Sequence, residues 1–282
     1  MVAFVNNMKT LFLLAALTAL LLWAGTALGG PEMFIPMLIF SGILNLGAWF
    51  FSDTIAIKAM RGREITAETG GDLYRLVDEL RKRANLPMPK VYLCPHEAPN
   101  AFATGPYPSK AAVAFTQGAV NLLNREEMAG VVAHELAHIK NRDTLTSTVA
   151  ATVAGVRAFA AQWFFFLGIG RREGGNPLVG FAVIIMAAVG AALIKAAISR
   201  SREFVADAEG AKIAGSPDGL INALLKLEAI NQRVPLDNPN PAANNLFIIE
   251  PLAGGRSLVQ LFATHPPTQA RVDALMKANG SV

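Results

Sequence analysis

The sequence predicts a mainly α-helical membrane protein in which transmembrane helices carry an α+β polar domain with a small sheet. Charged residues make up only 16% of the 282-residue chain and apolar ones 52%. A typical soluble domain carries about 25% charged residues. The apolar excess gathers in four stretches, Leu11 to Leu28, Met33 to Phe51, Thr144 to Ile169 and Pro177 to Ile194. The polar remainder reads as short strands and amphipathic helices.

The first two stretches hold no charged residue, and a bilayer core of about 30 Å needs roughly 20 helical residues. The third is interrupted by Arg157, a charge that is costly in lipid unless paired or turned to a cavity. The last two stretches also read as a buried helical hairpin. The first, with Lys9 ahead and Ala24, Gly25 and Thr26 behind, also reads as a signal peptide, although a second apolar stretch follows at once. No Lys or Arg lies between the first two stretches, whereas Lys9 precedes them and Lys58, Arg61 and Arg63 follow. The positive-inside rule then puts both ends of this hairpin in the cytoplasm. Lys195, Arg200 and Arg202 agree with that orientation; Arg171 and Arg172 do not.

Four segments follow: an N-terminal transmembrane hairpin (1–52), a first half-domain (53–143), a second hydrophobic helical hairpin (144–195) and a second half-domain (196–282). If 144–195 is a hairpin, the two halves emerge on one side and build one domain. From Thr69 to Ala84, Leu73, Leu76, Val77 and Leu80 have helical spacing. The stretches Pro89 to Pro95 and Ala111 to Thr116 read as strands, with Gly118 as the turn after the second. Asn124 and Glu127 form a capping-box pattern ahead of an amphipathic helix that runs through Lys140 and can continue into the third apolar stretch. Ser216-Pro217 opens another helix, residues 231–257 read as a long loop that can cover a groove as a gate, and Thr268 to Ala278 reads as a last helix. Cys94 is the single cysteine, which excludes an intrachain disulfide and a thiolate metal cluster. The net charge of +4 comes without a basic patch interleaved with aromatics, so no nucleic-acid partner is expected.

The chemistry-bearing motif is His134-Glu135-Leu136-Ala137-His138. Residues four apart share a helix face, so two imidazoles can reach one tetrahedral zinc ion. Glu135 can then accept a proton from the attacking water. A catalytic zinc needs a third protein ligand. His96, His265 and a downstream carboxylate are the candidates. In Arg202-Glu203-Phe204-Val205-Ala206-Asp207, Glu203 and Asp207 share a face. Glu203 can ligate while Asp207 accepts the N–H of a ligand histidine, or the segment is a solvated charged helix.

Four motifs together, His134 to His138, Arg202 to Ala208, Asn100-Ala101-Phe102-Ala103-Thr104-Gly105 and Thr264-His265-Pro266-Pro267, resemble the HtpX family of membrane zinc proteases, relatives of the type I CaaX prenyl protease. The resemblance spans nearly the whole chain. It implies a zincin-like catalytic domain with a substrate-binding edge strand, and one Zn2+ on His134, His138 and Glu203. Glu135 is then the general base and Asp207 a supporting partner. Asn100, Ala101 and Phe102 lie on the strand that pairs with an extended substrate, and His265 and Arg271 stabilise the oxyanion. It also implies a multi-pass protein of the bacterial inner membrane, active on the cytoplasmic side. It would degrade misfolded or damaged membrane proteins under stress, in contact with the lipid bilayer. A protease cutting inside the bilayer is disfavoured by the polar residues flanking the motif, Asn121, Asn124, Arg125, Glu126 and Glu127 upstream and Lys140, Asn141, Arg142 and Asp143 downstream. A non-proteolytic metal-binding membrane protein is the remaining alternative, and for it Glu135 is dispensable.

Overall fold

The computed structural model describes residues 2–144, 200–231 and 266–279. Expectations for the last two apolar stretches, for the loop beyond Asn231 and for His265 lie outside these residues. Two long helices come first, α1 (Val2–Gly29) and α2 (Phe34–Ala59), packed side by side and joined by a 3-10 turn at Pro31–Met33. Pro36 lies in the first turn of α2, where a missing N–H breaks no helical bond. Between the helices, Ser41 Oγ donates to Thr18 Oγ1 at 2.8 Å and Asn45 Nδ2 to the same oxygen at 3.1 Å. Among the described residues, counted with their side chains, no helix is long and apolar enough to cross a membrane.

α2 stops where Arg61 takes a left-handed φ of 51° and Gly62 N–H returns to Ile57 O at 2.9 Å, a closure that satisfies the last carbonyls of a helix. The chain then enters a four-stranded mixed sheet: β1 (Arg63–Ile65), β2 (Lys90–Cys94), β3 (Ala101–Thr104) and β4 (Ala112–Thr116), in the order β1-β2-β4-β3. β2 runs parallel to β4, while β1 and β3 run antiparallel to their neighbours. β3 is therefore an edge. β1 escapes sequence reading because three residues are too few to show alternation. At Gly118 the structure has a short helix, α4 (Gln117–Leu122), in place of the expected turn, because Thr116 Oγ1 caps it by accepting Ala119 N–H at 3.2 Å.

α3 (Gly71–Arg83) buries Leu76, Val77 and Leu80 as its periodicity requires. α5 (Arg125–Asn141) begins with the expected reciprocal cap: Asn124 Oδ1 accepts Glu127 N–H and Glu127 Oε2 accepts Asn124 N–H, both at 2.9 Å. It ends at Asn141, because Arg142 takes a φ of 56° and turns the chain. The expected amphipathic character is also corrected. α5 is buried around most of its circumference, since α1, α3, β3 and the later helix α7 (Asp218–Asn231) all pack on it. α7 approaches backbone to backbone. A Cβ on Gly130 would lie 2.3 Å from Leu220 N. The described part of α6 covers 200–214, and α8 (Thr268–Asn279) is the last element.

Each face of the sheet covers a core. On one face Val91, Val113 and Phe115 meet α3, α5, α7 and α8. On the other, Cys94, Phe102 and Ala114 meet Ala56, Ile57 and Met60 of α2. Full burial of one such apolar side chain stabilises by about 1.5–3 kcal/mol.

Candidate metal centre

His134 and His138 lie one turn apart on α5, and α6 brings Glu203 opposite them. Their ligand atoms all fall within 4.8 Å of one another. His134 Nε2 is 3.0 Å from His138 Nε2 and 3.5 Å from Glu203 Oε2, and His138 Nε2 is 3.5 Å from Glu203 Oε1. A tetrahedral ion with bonds of 2.0–2.1 Å holds its ligands about 3.3 Å apart. The three donors therefore fit a single small cation.

Each imidazole is oriented from behind. His134 Nδ1 lies 3.0 Å from Asp207 Oδ1, and His138 Nδ1 lies 2.9 Å from Asp143 Oδ1. A carboxylate accepting Nδ1–H fixes the tautomer whose Nε2 lone pair faces the ion. Asp207 was expected in this role. Asp143 was not, because its partner is set by the turn at Arg142 and no local pattern reveals it. Asp207 is gripped in turn by Arg271, with Nη2 to Oδ1 at 2.6 Å and Nε to Oδ2 at 2.8 Å. Burial alone would raise the Asp207 pKa, but Arg271 and His134 overcome it and pull it to about 2. Burial likewise opposes charge on His138, yet Asp143 and Glu203 push its pKa up to about 10. The buried guanidinium of Arg202 is supported by the same Asp143.

Glu135 points from α5 towards β3. Burial raises its pKa, the nearby imidazoles oppose the rise, and the backbone N–H of Ala103 donates to its carboxylate. β3 is held at both ends as well. Thr116 N–H donates to Asn100 O at 2.9 Å, and Asn100 N–H donates to Thr116 Oγ1 at 2.8 Å. At the other end Thr144 Oγ1 donates to Gly105 O at 2.7 Å. Gly105 has a φ of +113°, and a Cβ there would lie 2.4 Å from Lys110 O. Successive residues of a strand face opposite ways, so these bonds fix its phase. Asn100 turns its backbone to β4, and Ala101 and Ala103 turn theirs to the open edge. Phe102 turns its side chain into the core against α2 and is 3% exposed.

Arg271 sits at the same centre, 3.5 Å from His134 Nε2 and 3.6 Å from Glu203 Oε2. The structure thus gathers His134, Glu135, His138, Glu203, Asp207 and Arg271 and sets the 100–102 strand beside them.

The model of peptidase family M48 matches residues 67–279, which include the whole of this cluster. The chain belongs to peptidase family M48. Within it, this M48 protease is 45% identical to a protease HtpX homolog of Desulforapulum autotrophicum, over 98% of this chain and 91% of that protein. It is 48% identical to one of Desulfatibacillum aliphaticivorans, over 97% and 90% respectively. The M48 chain is thus an HtpX-type metalloprotease with a zincin-like, mostly helical fold. A solved structure of S. mikatae Ste24p shares the fold with a TM-score of 0.57 at 19% identity, covering 97% of this chain and 66% of that one.

Proposed function

We propose that this M48 protease is a zinc-dependent endopeptidase whose ligands are His134, His138 and Glu203. The observation that carries the reading is the mutual spacing of those three donor atoms. A donor set of two imidazoles and one carboxylate suits zinc. Bound there, a zinc ion would acidify water and polarise the scissile carbonyl. Glu135 accepts the proton of the attacking water and delivers it to the leaving nitrogen. A base with a raised pKa is suited to both transfers near neutral pH. Asp207 and Asp143 orient the imidazoles. Arg271 holds Asp207, and stabilisation of the developing oxyanion is assigned to Arg271 and, from the sequence resemblance alone, to His265.

An extended polypeptide pairs with the open edge of β3. The groups offered are the backbone N–H and C=O of Ala101 and the C=O of Ala103. Asn100 and Phe102 contribute by holding the strand rather than by touching the substrate.

The membrane reading rests on α1 and α2. At 1.5 Å per residue these helices run about 42 and 39 Å, longer than the roughly 30 Å apolar core of a bilayer. Phe4, Leu11, Phe12, Ile39, Ile43 and Phe50 are exposed along them. We read segments 1–52 and 144–195 as bilayer hairpins and 53–143 with 196–282 as the catalytic domain. The protein then lies in the bacterial inner membrane with its site in the cytoplasm. Misfolded or damaged membrane proteins are its substrates and quality control under stress its role.

The test is cleavage of casein by detergent-purified protein, wild type beside Glu135→Gln, with zinc measured in both. Zinc retained in both and activity lost in the variant by about 10²–10⁴-fold is expected for removal of a general base. Unchanged cleavage by Glu135→Gln would refute the assignment.

A further inference from the structure

The second core joins the N-terminal hairpin to the substrate strand. Phe102 is the middle of β3, and its ring is buried with Ala56, Ile57 and Met60 from the last turn of α2. The joint is stiff. Arg61 and Gly62 close α2 by hydrogen bonds to Lys58 O and Ile57 O, and a Cβ on Gly62 would lie 2.9 Å from Ile57 Cγ2. A second tie lies beside it. His96 Nε2 is 3.0 Å from Met60 O, a carbonyl that only accepts, so this nitrogen is the donor. His96 also receives Gly118 N–H on its backbone oxygen at 2.9 Å, which links the end of α2 to the start of α4. Ala101 and Ala103, the neighbours of Phe102, point into the main core. Their small side chains leave α5 close enough for Ala103 N–H to reach Glu135. β3 is therefore clamped between the catalytic helix on one face and the end of α2 on the other.

We infer that the last turn of α2 is a positioning element for the substrate strand, with Phe102, Ile57 and Met60 as its contact residues. A shift of α2 moves Phe102, and Phe102 moves the open edge of Ala101 and Ala103 relative to the metal ligands. The hairpin therefore acts on peptide affinity, in addition to any anchoring role. This inference rests on the reading of β3 as the substrate strand.

The experiment measures kcat and KM of the full-length, detergent-purified protein on an unstructured peptide. The variants are Ile57→Ala, Phe102→Ala, Phe102→Leu and, as a control in the other core, Leu80→Ala. Leu80 is buried on α3, which packs on α5. Loosening the strand by about one hydrogen bond corresponds to a five- to tenfold rise in KM. That rise is expected in Ile57→Ala and Phe102→Ala, with kcat within about twofold and zinc content unchanged. The double variant Ile57→Ala with Phe102→Ala should raise KM by less than the product of the two single effects, as for residues in contact. Phe102→Leu should recover most of the affinity. Leu80→Ala should lower the melting temperature while leaving KM as in wild type. An unchanged KM in Ile57→Ala overturns the coupling, as does an equal rise in Leu80→Ala. A peptide N-methylated at alternate amides separates the two readings. If it binds as tightly as its parent, the edge-strand reading fails. If it binds more weakly while Ile57→Ala leaves KM unchanged, only the role of α2 fails.

Discussion

The two faces of the small sheet are built from opposite materials. On the α5 face, a large apolar core surrounds a dense set of ionisable groups: Glu135, Glu203, Asp207, Arg271 and the two imidazoles. On the α2 face the core is small and its buried members are apolar side chains, Ala56, Ile57, Met60, Phe102 and Ala114, with the Cys94 thiol. The thiol is held un-ionised there, since burial pushes its pKa up to about 11. Isolated charge is expensive to bury, so the first face holds several of its ionisable groups in pairs. Asp207 needs Arg271, His134 needs Asp207, and His138 needs Asp143. The apolar cluster of the second face responds to change chiefly through packing. On the readings proposed above, one face sets chemistry and the other sets where the substrate strand lies.

The largest effect that would sharpen this contrast is at Glu203. Glu203→Gln keeps the volume of the side chain but removes an anionic ligand. Zinc content should fall below stoichiometric and proteolysis by more than about a thousandfold, while the purified variant keeps wild-type secondary structure by circular dichroism. A fully zinc-loaded Glu203→Gln protein would break the ligand assignment.

Next comes the packing of the charged face. Gly130→Ala would drive a Cβ to 2.3 Å from the backbone nitrogen of Leu220. Because backbone cannot rotate away, a loss of about 3 kcal/mol is expected in a denaturant titration. Stability equal to wild type would mean that α5 and α7 are not in backbone contact.

The smallest effect is in acid. Folding pulls the Asp207 pKa from 3.8 to about 2. The unfolded chain then binds the proton more readily than the native one. The contribution is complete above about pH 4 and is lost as pH falls towards 2. It amounts to about 2 kcal/mol. On chelator-treated protein, wild type should therefore lose about that much more stability than Asp207→Asn between pH 5 and pH 2. Parallel pH curves would show that the Arg271 pair carries no net electrostatic stabilisation.

Much of the catalytic face was legible in the chain because its signals are local. The spacing of His134 and His138, the Asn124 and Glu127 cap, the periodicity of α3 and the proline-bounded β2 all act within one or two turns. The spacing of Glu203 and Asp207 left two readings open, and only the meeting of α6 with α5 shows that both are buried against the histidines rather than solvated. The partner of His138 was hidden for a similar reason. Asp143 is near in sequence, but a left-handed residue at 142 decides where it points. β1 and α4 were missed because they are too short to carry a period.

By itself, the sequence determined the apolar hairpin, the helix that carries the two histidines and the class of chemistry they perform. Such features depend on side-chain type at fixed local spacing, which chain geometry converts directly into a shared face. Only the tertiary structure decided that Arg271 grips Asp207, that Ala103 reaches Glu135 and that Phe102 is seated on α2. Those contacts join elements distant in the chain. They arise because burying both faces of one sheet leaves each buried charge and each edge group a single place to find its partner.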